Sequence, residues 1–227
     1  MKTFLHSGDI GDIIYSLPAV KKLGGGIYYI SLNKTKRGFG LPTKFNKYCY
    51  DIVRPLLLEQ DYIEDVRLWN GEAIDYDMDI FREQPDVATT NLAKLHCTAF
   101  GIDPVIIDDQ WLDVEPGVMP EGKRIIFART PRYHGNFNWT AHVKAYGHEA
   151  IFVGLKEEYD MFVKTFNCSD IPYVPTKDLL ELARLIKACD FFVGNQSCHF
   201  AIAQGLHKRN RLEISRSSPN NIFKEIK

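Results

Sequence analysis

Short apolar runs alternate with amphipathic stretches along the whole chain, and small or polar residues separate them. Continuous apolar runs suit strands covered on both faces, whereas apolar positions three and four apart suit helices with one covered face. In the first half this pattern predicts strands at Thr3–His6, Ile27–Ile30 and Ile63–Trp69. It predicts helices from Ile13, from about Phe45 to Glu59 with a break at Pro55, and from Ala88 to Phe100, closed by Gly101. Trp111–Val114 reads as a short extended segment. Residues Glu115–Gly122 hold two prolines and two glycines, the composition of a linker. Beyond it, strands are predicted at Arg124–Ala128, Ala150–Val153, Phe191–Val193 and Leu212–Ile214. Helices are predicted at Thr140–Tyr146, Lys156–Phe166, from an Asp178 cap to about Ala188, and from Ser197 to Gly205.

Strand–helix alternation of this kind implies an α/β protein with mainly parallel sheets. The break near 115–122 divides it into two Rossmann-like lobes, residues 1–118 and 119–227, with the linker as a hinge. Open α/β sheets bind ligands beyond the carboxyl ends of their strands, so two facing lobes make a cleft.

Composition narrows the class. The chain has 227 residues and a hydrophobic fraction of 45%, enough for a sizeable core. A formal net charge of −1 gives no bulk attraction for nucleic acid. The five cysteines form no C-x-x-C pair, which suits reduced thiols in a cytoplasmic protein. Met1-Lys2-Thr3 leads straight into a predicted strand, and no apolar run reaches the roughly 20 residues that span a bilayer. There is no P-loop, no G-x-S-x-G and no H-E-x-x-H. Asp75, Asp77 and Asp79 alternate as in an acidic metal loop, but the glycine and terminal glutamate of the calcium pattern are absent. The expectation is no metal there, and His6 reads as a packed or cleft-lining side chain rather than a metal ligand. Lys208-Arg209-Asn210-Arg211 reads as a solvated turn.

Three turns carry candidate chemistry. Ser7-Gly8-Asp9-Ile10-Gly11-Asp12 joins the first strand to the first helix. Such a turn offers backbone N–H groups and the positive end of a helix dipole. Its two acids would repel a phosphate, so a carboxylate is expected to act there as a base or hydrogen-bond acceptor. Val193-Gly194-Asn195-Gln196-Ser197-Cys198-His199 is the second such turn and has no acid. With Ser197 as cap, the N–H groups of Cys198, His199 and Phe200 can face a pyrophosphate, and His199 adds a hydrogen bond or partial charge. An ordinary βα turn with a buried cysteine and a capping histidine fits the same residues. The third turn places Arg129, Thr130 and Arg132 at the carboxyl end of a strand, where the guanidinium fork suits phosphate oxygens. A solvated loop with incidental charge is the plain alternative. The neighbouring Pro131, Tyr133, Phe137 and Trp139 favour a functional loop.

Gly8-Asp9-Ile10-Gly11-Asp12-Ile13-Ile14-Tyr15-Ser16-Leu17-Pro18-Ala19-Val20 resembles the N-terminal signature of the ADP-heptose:lipopolysaccharide heptosyltransferases, glycosyltransferase family 9. Phe192–Ala203 is similar to that family's C-terminal G-N/D-x-x-x-x-H-x-A-A element. The two signatures stand in the right order, one per lobe. The resemblance implies a GT-B fold of two Rossmann-like lobes and a metal-independent, inverting glycosyltransferase that uses no cofactor beyond its nucleoside diphosphate sugar. It puts the catalytic base on Asp12 and the acceptor beside Ser7, Gly8, Asp9 and Gly11. The donor would lie against Gly194, Asn195, Gln196, Ser197, Cys198 and His199, with Arg129, Thr130 and Arg132 opposite. The family's D-T-G is replaced by Gln196-Ser197-Cys198, and the chain is shorter than its usual members, which leaves the sugar and nucleotide open. The acceptor is expected to be a glycan or another hydroxyl-bearing molecule, a modified DNA base in a phage enzyme among them. A nucleotide-sugar hydrolase or epimerase, or a non-catalytic nucleotide-binding module, would use the same cleft.

Overall fold

The computed structural model describes residues 1–32, 45–218 and 220–223. In the first half, β1 (Lys2–His6), α1 (Ile10–Lys22), β2 (Gly26–Ile30), α2 (Lys47–Leu58), β3 (Ile63–Leu68) and β4 (Tyr76–Asp77) follow in order. A 3₁₀ turn (Met78–Glu83) and α3 (Leu92–Ala99) complete it. The second half contains β5 (Ile125–Ala128), α4 (Trp139–Tyr146), β6 (Ala150–Phe152), α5 (Lys156–Phe166), α6 (Leu179–Ala188), β7 (Phe191–Asn195), α7 (Cys198–Gly205) and β8 (Asn210–Glu213).

Each half builds one four-stranded sheet, ordered β3-β2-β1-β4 and β6-β5-β7-β8. Every strand pair is parallel. The α/β class with two Rossmann-like sheets therefore stands. In the first sheet the chain runs outward from β1 to β3, then crosses back to lay β4 on the other side of β1. In the second it runs from β5 to β6 and crosses back to β7. Such reversals leave a crevice at the carboxyl ends of the two strands that flank them. One reversal lies between β1 and β4, the other between β5 and β7, and the loops leaving those four strands make the site.

Local chemistry sets the element boundaries. Helix α1 starts at Ile10, three residues before the predicted start, where the Asp9 N–H donates to Asp12 Oδ2 at 3.3 Å. Helix α2 continues through Pro55 instead of breaking there. Helix α3 starts late, at Leu92, because Asn91 accepts from the N–H groups of Ala93 and Lys94 and so caps it.

One apolar core runs through both halves. Phe4, Ile13, Leu17 and Val53 belong to the same buried cluster as Ile126, Ile186, Phe192 and Phe200. Helix α1 packs on α7, and α2 on α6. A smaller cluster of Phe127, Trp139, Phe152 and Phe162 covers the other face of the second sheet. The chain between the sheets is fastened to both. The Trp111 and Leu112 N–H groups donate to the Gly205 carbonyl, Asp113 N–H to Gln60 Oε1, and Tyr62 Oη–H to the Trp111 carbonyl. Gly117 N–H donates to the Arg184 carbonyl at 2.8 Å, pinning the start of the expected linker on α6. A hinge spanning all of 115–122 does not fit that attachment. At the other end of the chain, Asn220 accepts from the Leu92 N–H and Ile222 from Asn91 Nδ2, so the last described residues return to α3. Among the described residues, no helix is long and apolar enough to cross a membrane.

Candidate functional site

The two switch points face one another across a cleft of about 500 Å³. Asp9, Gly11, Asp12, Tyr15 and Arg82 line one wall; Arg132, Tyr133, Gln196, Ser197 and Cys198 line the other. Ser217, Ser218, Asn220 and Asn221 complete the lining.

On the first wall the turn's backbone donors are already used. Ser7 donates its N–H to Asp79 Oδ1 at 3.1 Å and its hydroxyl to Asp79 Oδ2 at 2.6 Å. The Gly8 N–H donates to His6 Nδ1 at 2.8 Å, and the Asp9 N–H goes to Asp12. No donor of the Ser7–Asp9 backbone is left for an anion. Ser7 is buried with its hydroxyl turned onto Asp79, so it does not meet an acceptor as expected. Gly8 is a packing position, because a Cβ there would stand 2.7 Å from Arg82 Nη2 and 2.7 Å from Asp12 Oδ2. Gly11 faces open space and, with Asp9, remains on the cleft.

Asp12 is 17% exposed and paired with Arg82 Nη2 at 2.7 Å. Burial alone would raise its carboxyl. The Arg82 guanidinium, helped by the His6 and His96 side chains, outweighs burial and holds it below the usual carboxylate value. Asp12 is therefore ionised at neutral pH and can accept a proton. Behind it, His6, Asp79 and His96 form a buried network, with the His6 and His96 Nε2 atoms 3.1 Å apart. The Leu92 carbonyl lies 2.8 Å from His96 Nδ1 and can only accept, so His96 carries its proton on Nδ1. His6 Nε2 is then the donor to His96, while His6 Nδ1 lies 2.8 Å from the Gly8 nitrogen and 3.1 Å from Asp79 Oδ1.

The second wall is built the opposite way. Ser197 sits at the N-cap of α7, yet makes no capping bond; its hydroxyl donates to the Asn195 carbonyl at 3.2 Å. That corrects the expected Ser197 cap: the N-cap hydroxyl leaves the N–H groups of the first turn of α7 to other partners. Burial pushes the His199 imidazole down to about 4, so it is neutral, and it does not line the cleft; the expected partial charge is absent. Burial pushes the Cys198 thiol up to about 12, which keeps it protonated.

Several residues expected on the donor side spend their polar atoms on the wall itself. Arg129 gives both arms of its fork to Glu213, at 2.8 and 3.0 Å, and Glu213 also accepts from Trp139 Nε1 and the Gly135 N–H. Glu213 is buried, so its charge demands that partner. Asn195 accepts the Thr130 N–H at 3.0 Å and donates to the Thr130 and Arg132 carbonyls, fixing the 130–132 loop. Gln196 accepts the Ser215 N–H and donates to the Ser218 carbonyl, fixing residues 215–218. A Cβ on Gly194 would stand 2.7 Å from the Phe192 ring, so this glycine serves packing. Arg132 does reach the cleft, where its guanidinium lies 5.3 Å over the Tyr133 ring. Among the described residues no group of three His, Cys, Asp or Glu side chains is placed to hold a metal ion.

Sequence reasoning missed Tyr15, Arg82, Ser217, Ser218, Asn220 and Asn221. Tyr15 follows Asp12 by three residues, and that spacing puts both on one helix face. Nothing near Arg82 in the sequence ties it to a carboxylate 70 positions away.

Two parallel Rossmann-like sheets facing one cleft at their switch points define the GT-B architecture. Solved structures share it. The iron-containing dodecameric glycosyltransferase TibC of enterotoxigenic E. coli H10407 superposes with a TM-score of 0.59 at 14% identity over 98% of this chain. A glycosyl transferase family 9 protein of Veillonella parvula gives 0.59 at 10% identity, over 96% of this chain and 83% of its own. E. coli ADP-heptose LPS heptosyltransferase II gives 0.57 at 11% identity, over 99% of this chain and 89% of its own. The chain spans 60% of the length of TibC. No protein-family model matches the sequence, and no curated protein matches it either.

Proposed function

We propose that the protein is a glycosyltransferase that moves a sugar from a nucleoside diphosphate to an acceptor hydroxyl. The observation that carries this reading is the opposite treatment of two facing helix starts. The turn before α1 has spent its N–H groups and presents the Asp12 carboxylate. The start of α7 lacks a side-chain cap and faces the cleft beside Arg132. An uncapped helix start with an arginine favours a diphosphate, and its dipole stabilises the charge that grows on the departing group. A carboxylate opposite suits removal of the proton from an attacking hydroxyl. One base and a direct displacement invert the anomeric centre. Positive charge from α7 and Arg132 meets the diphosphate without calling on a metal ion. On this reading residues 1–118 form the acceptor side and 119–227 the donor side. TibC has been solved with ADP-D-β-D-heptose and the E. coli heptosyltransferase WaaC with ADP, which makes an ADP-sugar the first donor to try.

The test is Asp12→Asn. Transfer from the productive donor should fall about 10²–10⁴-fold, while nucleoside diphosphate affinity by calorimetry stays within a few-fold. Full turnover by the variant removes Asp12 from the mechanism. Nucleoside diphosphate release at the same rate with and without acceptor makes the protein a nucleotide-sugar hydrolase instead.

A further inference from the structure

Resting on that reading, we propose that Arg82 is the positioning residue for the Asp12 base: it fixes one carboxylate oxygen so that the other faces the acceptor hydroxyl. Both bonds to the Asp12 carboxylate, from Arg82 Nη2 at 2.7 Å and the Asp9 N–H at 3.3 Å, land on Oδ2. Among the described residues Oδ1 takes none. The acceptor's proton therefore passes to Oδ1 while its oxygen bonds to the anomeric carbon and the diphosphate leaves with the bonding pair.

Arg82 is itself held. Its guanidinium lies 4.5 Å over the Phe81 ring, and Phe81 stacks on His96 at 4.0 Å. His96 joins His6, and Asp79 of the same 3₁₀ turn grips Ser7. Position 8 must stay glycine for the pair to form, since a Cβ there would stand 2.7 Å from Arg82 Nη2 and 2.7 Å from Asp12 Oδ2. The 78–83 turn and the β1 loop thus form one piece, and Arg82 is its contact with the base. Arg82 also lines the cleft, and its Nε is buried with no partner among the described residues.

The groups facing Asp12 are Arg82 from the 78–83 turn, His6 from β1, His96 from α3, Asp9 and Tyr15 from α1, and Cys198 from α7. Asp79 lies behind His6, and Arg132 lies across the cleft. Arg82 is the cation bonded to Asp12, so removing it should raise the carboxyl's titration midpoint.

The experiment compares Arg82→Gln and Arg82→Lys with the wild type. It follows the Asp12 carboxyl carbon by NMR titration, the pH profile of transfer, and kcat and KM for the donor. In Arg82→Gln the Asp12 midpoint should rise by roughly one pH unit or more, and the acid limb of the profile should move up with it. The donor KM should hold while kcat falls about tenfold or more. Arg82→Lys keeps the charge and should restore the midpoint; it also serves if the glutamine variant does not fold. An unmoved midpoint, an unchanged kcat, or a kcat loss matched by a rise in donor KM overturns the assignment. A wild type without transfer on any donor overturns the transferase reading and Arg82's role with it. A wild type that turns over beside an equally active Arg82→Gln overturns Arg82 alone.

Discussion

Tyr15 buries a hydroxyl that has no hydrogen-bond partner among the described residues. Its ring lines the cleft between Asp12 and Cys198 and stacks on Phe223 at 5.7 Å. Burial raises the phenol far above its ordinary value, so it stays a donor at any working pH. A buried, unsatisfied hydroxyl costs about 1–3 kcal/mol. Tyr15→Phe should therefore leave the unliganded protein at least as stable as the wild type in urea titrations. A loss of more than about 1 kcal/mol would mean the hydroxyl is bonded in solution. At this scale the sequence is informative where neighbours are local. Asp12 and the Arg132 loop were readable from their positions at strand ends. Arg129, Asn195 and Gln196 stood at equally suggestive positions, yet each is occupied by a distant partner: Glu213, the 130–132 loop and residues 215–218. Letters at a strand end cannot say whether a polar side chain turns outward to ligand or inward to another loop.

The two helix starts make the element-scale case. Helices α1 and α7 each follow a parallel strand and a small-residue turn, and both starts were legible as strand–turn–helix patterns. What differs is the fate of the free N–H groups. In the turn before α1, Asp79, His6 and Asp12 consume them. At α7 the Ser197 hydroxyl turns away to Asn195. Ser197→Asp places a stronger cap and a negative charge at the same point. It should stabilise the protein by up to about 1 kcal/mol in thermal or urea unfolding. It should also weaken nucleoside diphosphate binding at least about tenfold, since carboxylate and phosphate compete for the same donors. Unchanged affinity in that variant would take the diphosphate away from α7.

Across the whole molecule, the shared core and the returning C-terminal residues bind the two sheets into one body. Large apolar contacts of this kind oppose free lobe motion. Two neutral histidines are part of that body. Burial pushes His96 down to about 3 and His199 to about 4, against an ordinary value of 6.5. The unfolded chain takes up their protons near pH 6.5 and the folded one does not, so the unfolded state binds more protons as pH falls. Stability should then drop from about pH 6.5 towards pH 4, with a limiting slope of about 1.4 kcal/mol per pH unit for each histidine. Asp12, held low, adds to the loss only at lower pH, as it is protonated. Urea midpoints measured at intervals from pH 7 to pH 4 test this; a flat series would show that these imidazoles are not buried neutral.

The sequence by itself determined the order of strands and helices, the parallel α/β class and the two glycine turns, because these follow from local periodicity and from what glycine, proline and small polar residues allow. Tertiary structure decided which lobe keeps its helix start open and which arginine meets the carboxylate. It also decided that the start of the expected linker, at Gly117, is fastened to α6. Those outcomes depend on side chains brought together across the fold, such as Arg82 to Asp12 and Arg129 to Glu213. A buried charge or N–H group must find a partner wherever the packing supplies one, and no local pattern encodes that choice.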